Sequence, residues 1–136
     1  AITQVIEPHY NARAEWFEWP TTLRYAPGGF YTKHSDAENV DPETGYWYRT
    51  CDRDISMLIY LNDDYTGGEL RFPHLNYSYT PKQGDLVFFP SHNLYVHQSE
   101  PIIKGRKYAL VSWIAFQDTV RVAVADGTPR LRTWRN

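Results

Sequence analysis

Several features are scarce or absent in this sequence, and each absence argues against a class of protein. The single cysteine, Cys51, excludes an internal disulfide and is typical of a reducing compartment. No apolar run approaches the length of a membrane span, and no signal peptide or lipidation motif is visible. Lysine and arginine are spread along the chain, and the net charge is −2. We therefore expect a cytoplasmic protein that binds neither nucleic acid nor membrane.

The composition is that of one globular domain with a high aromatic content. The 136 residues, 42% of them hydrophobic, are enough for a single core, so we expect one domain over residues 1–136. Aromatic residues make up 16% of the chain and include 11 Tyr and 5 Trp, many of which could line a cleft. Residue 1 is Ala, which leaves open whether an N-terminal part has been removed.

Short apolar or alternating runs between turn residues predict many strands and almost no helix. The predicted strands cover residues 23–25, 30–36, 54–62, 69–72, 77–80, 85–89, 95–98, 107–116 and 120–124. Residues 12–19, before Pro20, contain more helix formers than β-branched residues and predict a short helix, with an edge strand as the alternative. The whole pattern indicates an all-β sandwich or barrel.

A long segment over residues 37–53 carries Asp, Asn, Pro and Gly and is predicted to be a loop. It follows directly on a candidate ligand and contains Tyr46, Trp47 and Tyr48, which are hydrophobic for a solvated tip. A loop of this length in a small domain is usually functional or mobile. It is either a lid over a site or a solvated surface loop.

The motif His34-x-Asp36 places an imidazole and a carboxylate two positions apart. In an extended chain such side chains point to the same face, so both can reach one ion. His97 is the candidate for the third ligand, and His92, which follows a Pro-Ser turn, is its rival. Two histidines and one carboxylate form the facial triad of non-haem Fe(II) oxygenases. Such a triad leaves positions open for a chelating 2-oxo acid and for O₂.

A distal carboxylate on that acid would need a fixed cation, and two neighbouring residues are candidates. Lys107 and Arg106 stand at the start of the longest strand and face opposite ways if it is regular. Lys107 shares parity with Ala109 and Val111, a mostly apolar face, and a cation there needs an anionic partner. Lys107 is the preferred residue, and Arg106 is the alternative.

An ordered set of motifs runs through residues 22–116. It comprises Tyr25-x-x-Gly28-x-x-Tyr31-x-x-His34-x-Asp36, Gly67-Gly68-Glu69-Leu70, Pro81-x-x-Gly84-x-x-x-x-Phe89, His97-x-x-x-Pro101-x-x-x-Gly105-x-Lys107-Tyr108, and Trp113. This set resembles the 2-oxoglutarate/Fe(II) dioxygenases of the prolyl 4-hydroxylase type. The resemblance implies a double-stranded β-helix, or jelly roll, with a short N-terminal helical or irregular segment. Larger members of the family carry helices before the ligand strand, where this chain has only residues 1–20.

The resemblance also implies a role for each candidate residue. His34, Asp36 and His97 would bind iron, and Lys107 would bind the distal carboxylate of 2-oxoglutarate. Four aromatic residues would complete the cofactor site: Tyr60, Tyr25, Tyr31 and Trp113. Packing in the core is the alternative for Tyr60, Trp113 and Tyr25, and the Gly67-Gly68 pair is expected to be an ordinary hairpin turn.

The implied reaction is hydroxylation of a prolyl residue in a peptide or protein, with decarboxylation of 2-oxoglutarate to succinate. It would require Fe(II), 2-oxoglutarate and O₂, with ascorbate. Two alternatives remain: the same chemistry on a free amino acid or other small metabolite, and a metal-binding β-barrel without oxygenase activity.

Overall fold

A computed structural model describes residues 1–122 and 130–132 of the chain. It contains a π-helical turn, Ile2–Ile6, one short helix, α1, at Glu7–Tyr10, and two 3-10 turns at Pro73–Leu75 and Asn93–Tyr95. Fourteen strands follow in chain order: β1 Ala14–Glu18, β2 Thr21–Tyr25, β3 Tyr31–His34, β4 Glu38–Val40, β5 Trp47–Arg49, β6 Ile55–Tyr60, β7 Thr66–Gly67, β8 Leu70–Phe72, β9 Tyr77–Tyr79, β10 Leu86–Pro90, β11 His97–Ser99, β12 Ile102–Lys104, β13 Lys107–Phe116 and β14 Arg130–Arg132. No helix in the described part is long and apolar enough to span a membrane.

The larger sheet is built around β13 and β6, the two longest strands in the described part of the chain. Its order is β10-β6-β13-β1-β14, and β2 pairs with the first half of β13 on the same edge as β1. The strand β6 is almost wholly buried because both of its faces are covered, which explains its continuous apolar run. The β2–β13 pairing sets Tyr25 opposite Lys107.

The smaller sheet has the order β3-β11-β8-β9 and packs against the larger one. The inner faces share one core, in which Leu70 and Phe72 of the smaller sheet contact side chains such as Leu58, Tyr60 and Val111 of the larger. Two short pairs, β7–β12 and β4–β5, stand at the edges. The architecture is the predicted jelly roll.

The N-terminal segment packs on the outer face of the larger sheet. Ile6 is completely buried there and contacts a second core cluster that includes Ile55, Met57 and Ile114. A short helical segment is present at the N-terminus, as expected, but the helix predicted over residues 12–19 is wrong, and the alternative of a strand is what forms there. Residues 14–18 form β1, paired with β13 and β14, because strand pairing outweighs the helix propensity of these residues.

Several predicted boundaries also differ. The strand β3 ends at His34, so Asp36 lies in the bend that follows and not within the strand. The predicted loop over residues 37–53 contains the β4–β5 hairpin, with its turn at residues 41–45. The strand β12 was not predicted. Of the predicted strand 120–124, residues 120–122 are not strand, and the rest lies outside the described residues.

Candidate metal centre and its cavity

Three predicted ligands meet at one point between the two sheets. His34 ends β3, His97 begins β11, and the two residues are direct partners in the β3–β11 pairing. The Nε2 atom of His34 is 3.1 Å from one oxygen of Asp36, and Nε2 of His97 is 3.6 Å from the other oxygen. One donor atom from each residue lies within 4.8 Å of the other two. The three side chains therefore lie together as predicted, although Asp36 is in the bend after β3 and not in the strand.

Both imidazoles are held by their other nitrogen. Nδ1 of His34 is 2.7 Å from the Thr32 carbonyl oxygen, and Nδ1 of His97 is 2.9 Å from the Tyr95 carbonyl oxygen. A carbonyl only accepts, so each Nδ1 carries the proton and each Nε2 keeps a free lone pair. Such outer hydrogen bonds orient metal-binding histidines in general. Burial lowers the pKa of His97, which favours the neutral imidazole that a metal requires.

The carboxylate of Asp36 is fixed by a buried pair of hydroxyls. The Ser56 hydroxyl donates to Asp36 over 2.6 Å, and the Ser91 hydroxyl lies 2.8 Å from that of Ser56. Burial raises the pKa of the Asp36 carboxyl, but contact with the imidazoles of His34 and His97 and the hydrogen bond from Ser56 outweigh burial and hold that pKa well below its usual range. Asp36 is therefore an anion at neutral pH and can serve as an oxygen ligand.

A cavity of about 560 Å³ extends from this point into the space between the sheets. All eight residues predicted for the site line it: His34, Asp36, His97, Lys107, Tyr60, Tyr25, Tyr31 and Trp113. The rival His92 is exposed, and its Nδ1 accepts from the Leu94 N–H in a turn. His9 and His74 are also exposed. Of the five histidines, His34 and His97 therefore line the cavity, whereas the other three are exposed away from it.

Lys107 lies at the inner end of the cavity, whereas its neighbour Arg106 is exposed. The ammonium donates to the Gly68 carbonyl over 2.9 Å and to the Ser99 hydroxyl over 2.8 Å. It forms no ion pair with any residue in the described part of the chain. Burial lowers the pKa of Lys107 to about 8, against a smaller opposing attraction from Glu69.

Two tyrosines flank the ammonium. The Tyr25 ring centroid is 4.9 Å from Nζ of Lys107, and that of Tyr60 is 5.6 Å away. The hydroxyl of Tyr60 is buried and has no hydrogen-bond partner within the described residues. Burial raises the pKa of Tyr60 well above its usual range, so this hydroxyl keeps its proton and remains a donor. The inner end of the cavity therefore presents a cation and an unused donor together.

The outer part of the cavity contains an arginine that the sequence reasoning did not select. Nε and Nη2 of Arg53 donate to the buried Glu18 carboxylate over 2.6 and 2.8 Å. The guanidinium carbon stands 3.7 Å from the centre of the Trp113 ring. Nη1 of Arg53 donates to the backbone carbonyl of Asp36 over 3.1 Å. Arg53 thus ties the bend that carries Asp36 to the larger sheet.

Comparison with protein families bears directly on this arrangement. The family model for the 2OG-Fe(II) oxygenase superfamily matches residues 20–115, which include all the residues of the cavity's predicted set. This chain belongs to that superfamily. Membership implies Fe(II), 2-oxoglutarate and O₂ as the reagents of the domain.

Individual relatives agree with this 2OG-Fe(II) oxygenase assignment. Prolyl 4-hydroxylase 13 of Arabidopsis thaliana is 31% identical over 127 residues, which are 76% of this chain and 44% of that protein. The structure of the viral collagen prolyl hydroxylase from Paramecium Bursaria Chlorella virus-1, in complex with 2OG, superposes with a TM-score of 0.67 and 26% identity. That superposition covers 80% of this chain and 65% of the viral one. A Pseudomonas putida prolyl-4-hydroxylase gives a TM-score of 0.62 and 27% identity, over 81% of this chain and 56% of its own. The resemblance to the prolyl 4-hydroxylase type is confirmed. The chain spans less than half of the length of the first curated relatives it matches.

Several residues that build the oxygenase site were missed from the sequence. Gly68 was interpreted as part of an ordinary turn, yet its carbonyl accepts from Lys107 and a Cβ there would lie 3.3 Å from Cδ of that lysine. Its φ of +71° also favours glycine. The Gly-Gly pair was the available signal. The sequence carries no signal for Ser56, Ser91 and Ser99, because the contacts of these serines form only when segments distant in sequence come together in the fold.

Proposed function

We propose that this chain is the catalytic domain of an Fe(II)- and 2-oxoglutarate-dependent dioxygenase that hydroxylates a prolyl residue in a peptide or protein. One observation carries the proposal. A single cavity is lined by an N,N,O donor set and by a buried ammonium that forms no ion pair with any described residue. A metal and an anionic cosubstrate fit these two features, and neither feature is explained by packing alone.

His34, Asp36 and His97 would hold the iron. Their free Nε2 lone pairs and ionised carboxylate match the donor set of non-haem Fe(II) enzymes. Phe89 lies edge-on to the His97 ring with centroids 4.8 Å apart, which limits the access of water from the core side.

Lys107 and the Tyr60 hydroxyl would hold the distal carboxylate of 2-oxoglutarate. The ammonium supplies the missing counter-charge, and the orphaned phenol supplies a hydrogen bond. When bound, the iron, 2-oxoglutarate and O₂ would supply the oxidising chemistry: one oxygen atom of O₂ would enter succinate as CO₂ is released, and the other would be inserted into a C–H bond. The task of the chain is to orient the cosubstrate and to place the substrate.

The mouth of the cavity supports an extended peptide as the substrate. Tyr31 is about half exposed and its ring lies tilted against that of His34, with ring centroids 4.5 Å apart. The β4–β5 hairpin stands at the mouth, where Asn39 lines the cavity and Tyr46, Trp47 and Tyr48 are exposed. Aromatic faces are good partners for the apolar ring of proline. The viral structural relative is a collagen prolyl hydroxylase, which agrees with this choice.

The proposal is tested by incubating the chain with Fe(II), ascorbate, 2-oxoglutarate and a library of proline-containing peptides. We expect succinate, together with a mass gain of one oxygen on proline, and loss of both in His34→Ala. Oxygen gain on a free amino acid instead would indicate the small-metabolite alternative. Metal binding without any response to 2-oxoglutarate would indicate a non-catalytic metal-binding barrel and overturn the proposal.

Two further expectations remain predictions. Ascorbate would sustain turnover by keeping the iron reduced, so its omission should shorten the linear phase of succinate formation. The cytoplasmic location rests on the single cysteine, Cys51, and is checked by fractionation of the native source.

A further inference from the structure

A serine interrupts the apolar run of β6. Ser56 shares the inner face of that strand with Leu58 and Tyr60 and is completely buried. A hydroxyl in such a place costs stability unless it has hydrogen-bond partners. The partners of Ser56 are Asp36 and Ser91, and both are distant from it in sequence. The serine therefore has a task that packing of the core does not explain.

The chemistry of these three groups fixes the direction of their hydrogen bonds. The ionised carboxylate of Asp36 only accepts, so the proton of Ser56 goes to Asp36 over 2.6 Å. The Ser56 oxygen then accepts the proton of the Ser91 hydroxyl, which lies 2.8 Å away. Two hydroxyls in series strengthen each other in a low-dielectric interior. Ser91, Ser56 and Asp36 therefore form a hydroxyl relay that ends on the carboxylate.

The backbone of Ser91 holds the same bend. Its carbonyl accepts from the Ala37 N–H and from the Ser35 hydroxyl, each over 3.1 Å. These two residues flank Asp36, which lies beyond the end of β3 and outside the β3–β11 pairing. Ser91 thus fixes the backbone of the bend, and Ser56 fixes the carboxylate that the bend carries.

The two oxygens of Asp36 have different surroundings. Ser56 donates to Oδ2, whereas Oδ1 stands 3.1 Å from Nε2 of His34. Two ligand atoms at right angles on one metal ion, each about 2.1 Å from it, lie about 3 Å apart. The distance from Oδ1 to Nε2 is therefore the distance expected between two ligands of one ion. Neither Ser56 nor Ser91 lines the cavity, so both act through Asp36.

We propose that Ser56 and Ser91 are positioning residues for the metal: their hydroxyl relay holds Oδ2 of Asp36 so that Oδ1 faces the ion. The inference rests on the proposed function and adds two residues to its metal centre. Without the Ser56 donor the carboxylate is free to rotate about its Cβ–Cγ bond, and the ion has to fix it on binding. The relay therefore acts on the affinity for the metal.

The test is titration calorimetry of the metal-free chain with Mn(II), repeated in the presence of 2-oxoglutarate. We expect Ser56→Ala to weaken Mn(II) binding about ten-fold or more, the usual effect of losing a residue that orients a metal ligand. Ser91→Ala keeps the backbone carbonyl and should weaken binding less, by roughly two- to five-fold. The double variant should bind Mn(II) no more weakly than Ser56→Ala alone, because Ser91 acts through Ser56.

Ser112→Ala is the matched control, because Ser112 is also buried and its hydroxyl donates to the Glu18 carbonyl over 2.7 Å. It should lower the stability of the chain in urea and leave the Mn(II) affinity unchanged. An unchanged Mn(II) affinity in Ser56→Ala, an equal loss in Ser112→Ala, or losses that add in the double variant would show merely structural serines and overturn the inference.

The two titrations also separate this inference from the proposed function. Mn(II) binding that depends on Ser56 in a chain that does not bind 2-oxoglutarate would overturn the proposed dioxygenase function and support the relay. A wild-type chain that does not bind Mn(II) would overturn both.

Discussion

At the scale of single residues, Lys107 is the most informative position, because it is a buried cation among neutral acceptors. Lys107→Met should reduce 2-oxoglutarate affinity about a hundred-fold or more, since a charge-assisted contact in a buried site is lost. The matched control is Arg106→Met, at the exposed neighbouring position, which should change affinity less than two-fold. Calorimetry on both variants measures the difference. Equal losses would show that the anion does not bind at Lys107.

The same lysine should make stability depend on pH. Its pKa falls from 10.5 in the unfolded chain to about 8 in the fold. Between these values the unfolded chain binds more protons at this site, so the stabilising contribution of Lys107 rises with pH and is lost as the pH falls through 8. The free energy of unfolding of wild type minus that of Lys107→Met should therefore increase between pH 8 and 10.5, by on the order of 1–3 kcal/mol. Urea titrations at pH 7.5, 9 and 10.5 measure it, and a difference independent of pH would contradict the assignment.

The sequence predicts residues whose chemistry is rare and whose spacing is local. His34, Asp36 and Lys107 were found because imidazoles, carboxylates and inward cations have few other uses in a core. Ser56 and Ser91 could not be found, since their contact joins positions that are 35 residues apart in sequence. Arg53 was also missed, because its partner Glu18 is distant in sequence and lies in a segment that was predicted to be helical.

At the scale of elements, the β7–β8 connection must pass very close to β12 and to Lys107. A Cβ on Gly68 would lie 2.5 Å from Cδ1 of Ile102, and its φ is +71°. Gly68→Ala should cost roughly 2–4 kcal/mol of stability through strain plus overpacking, and should weaken 2-oxoglutarate binding. Gly84→Ala is the control, with a φ of +86° and no atom within 4 Å, and should cost about 1 kcal/mol. Chemical denaturation measures both, and equal costs would argue against a close approach at Gly68.

The β4–β5 hairpin offers a paired test of the peptide site. Tyr48 is opposite Asn39, which lines the cavity, whereas Trp47 is opposite Val40 on the other face. Tyr48→Ala should raise the KM for a peptide substrate about ten-fold, in line with the loss of one aromatic contact, while the KM for 2-oxoglutarate stays unchanged. Trp47→Ala should affect the peptide KM less than Tyr48→Ala does. A larger effect at Trp47 would place the peptide on the opposite face of the hairpin.

Strands were predicted well where burial dictates their pattern, as in β6 and β13. They were missed where pairing alone decides the structure. The strand β1 has a helix-forming composition but is paired on both sides, with β13 and with β14, and the hairpin β4–β5 has turn residues throughout its tip. Local propensity is weak in both segments, so the tertiary partner determines the outcome.

At the scale of the whole molecule, the N-terminal turn stabilises the outer face of the larger sheet, while the site lies on the inner face. Ile6→Ala should cost about 2–4 kcal/mol, because Ile6 is fully buried against Ile55, Met57 and Ile114. The neighbouring Val5 is 42% exposed, and Val5→Ala should cost less than about 1 kcal/mol. Denaturant titration compares them. Neither change should alter 2-oxoglutarate affinity in the folded chain, and a loss in Ile6→Ala would show that the two faces are coupled.

The central claim is that His34, Asp36 and His97 bind one iron while Lys107 holds 2-oxoglutarate against it. The most direct measurement is a crystal structure of the chain grown without oxygen in the presence of Fe(II) and 2-oxoglutarate. We predict one anomalous peak about 2.2 Å from both Nε2 atoms and a carboxylate oxygen of Asp36, with the distal carboxylate of the cosubstrate on Lys107. An iron bound elsewhere, a His97 ring directed away from Asp36, or a diacid that leaves Lys107 without an anion would contradict the account.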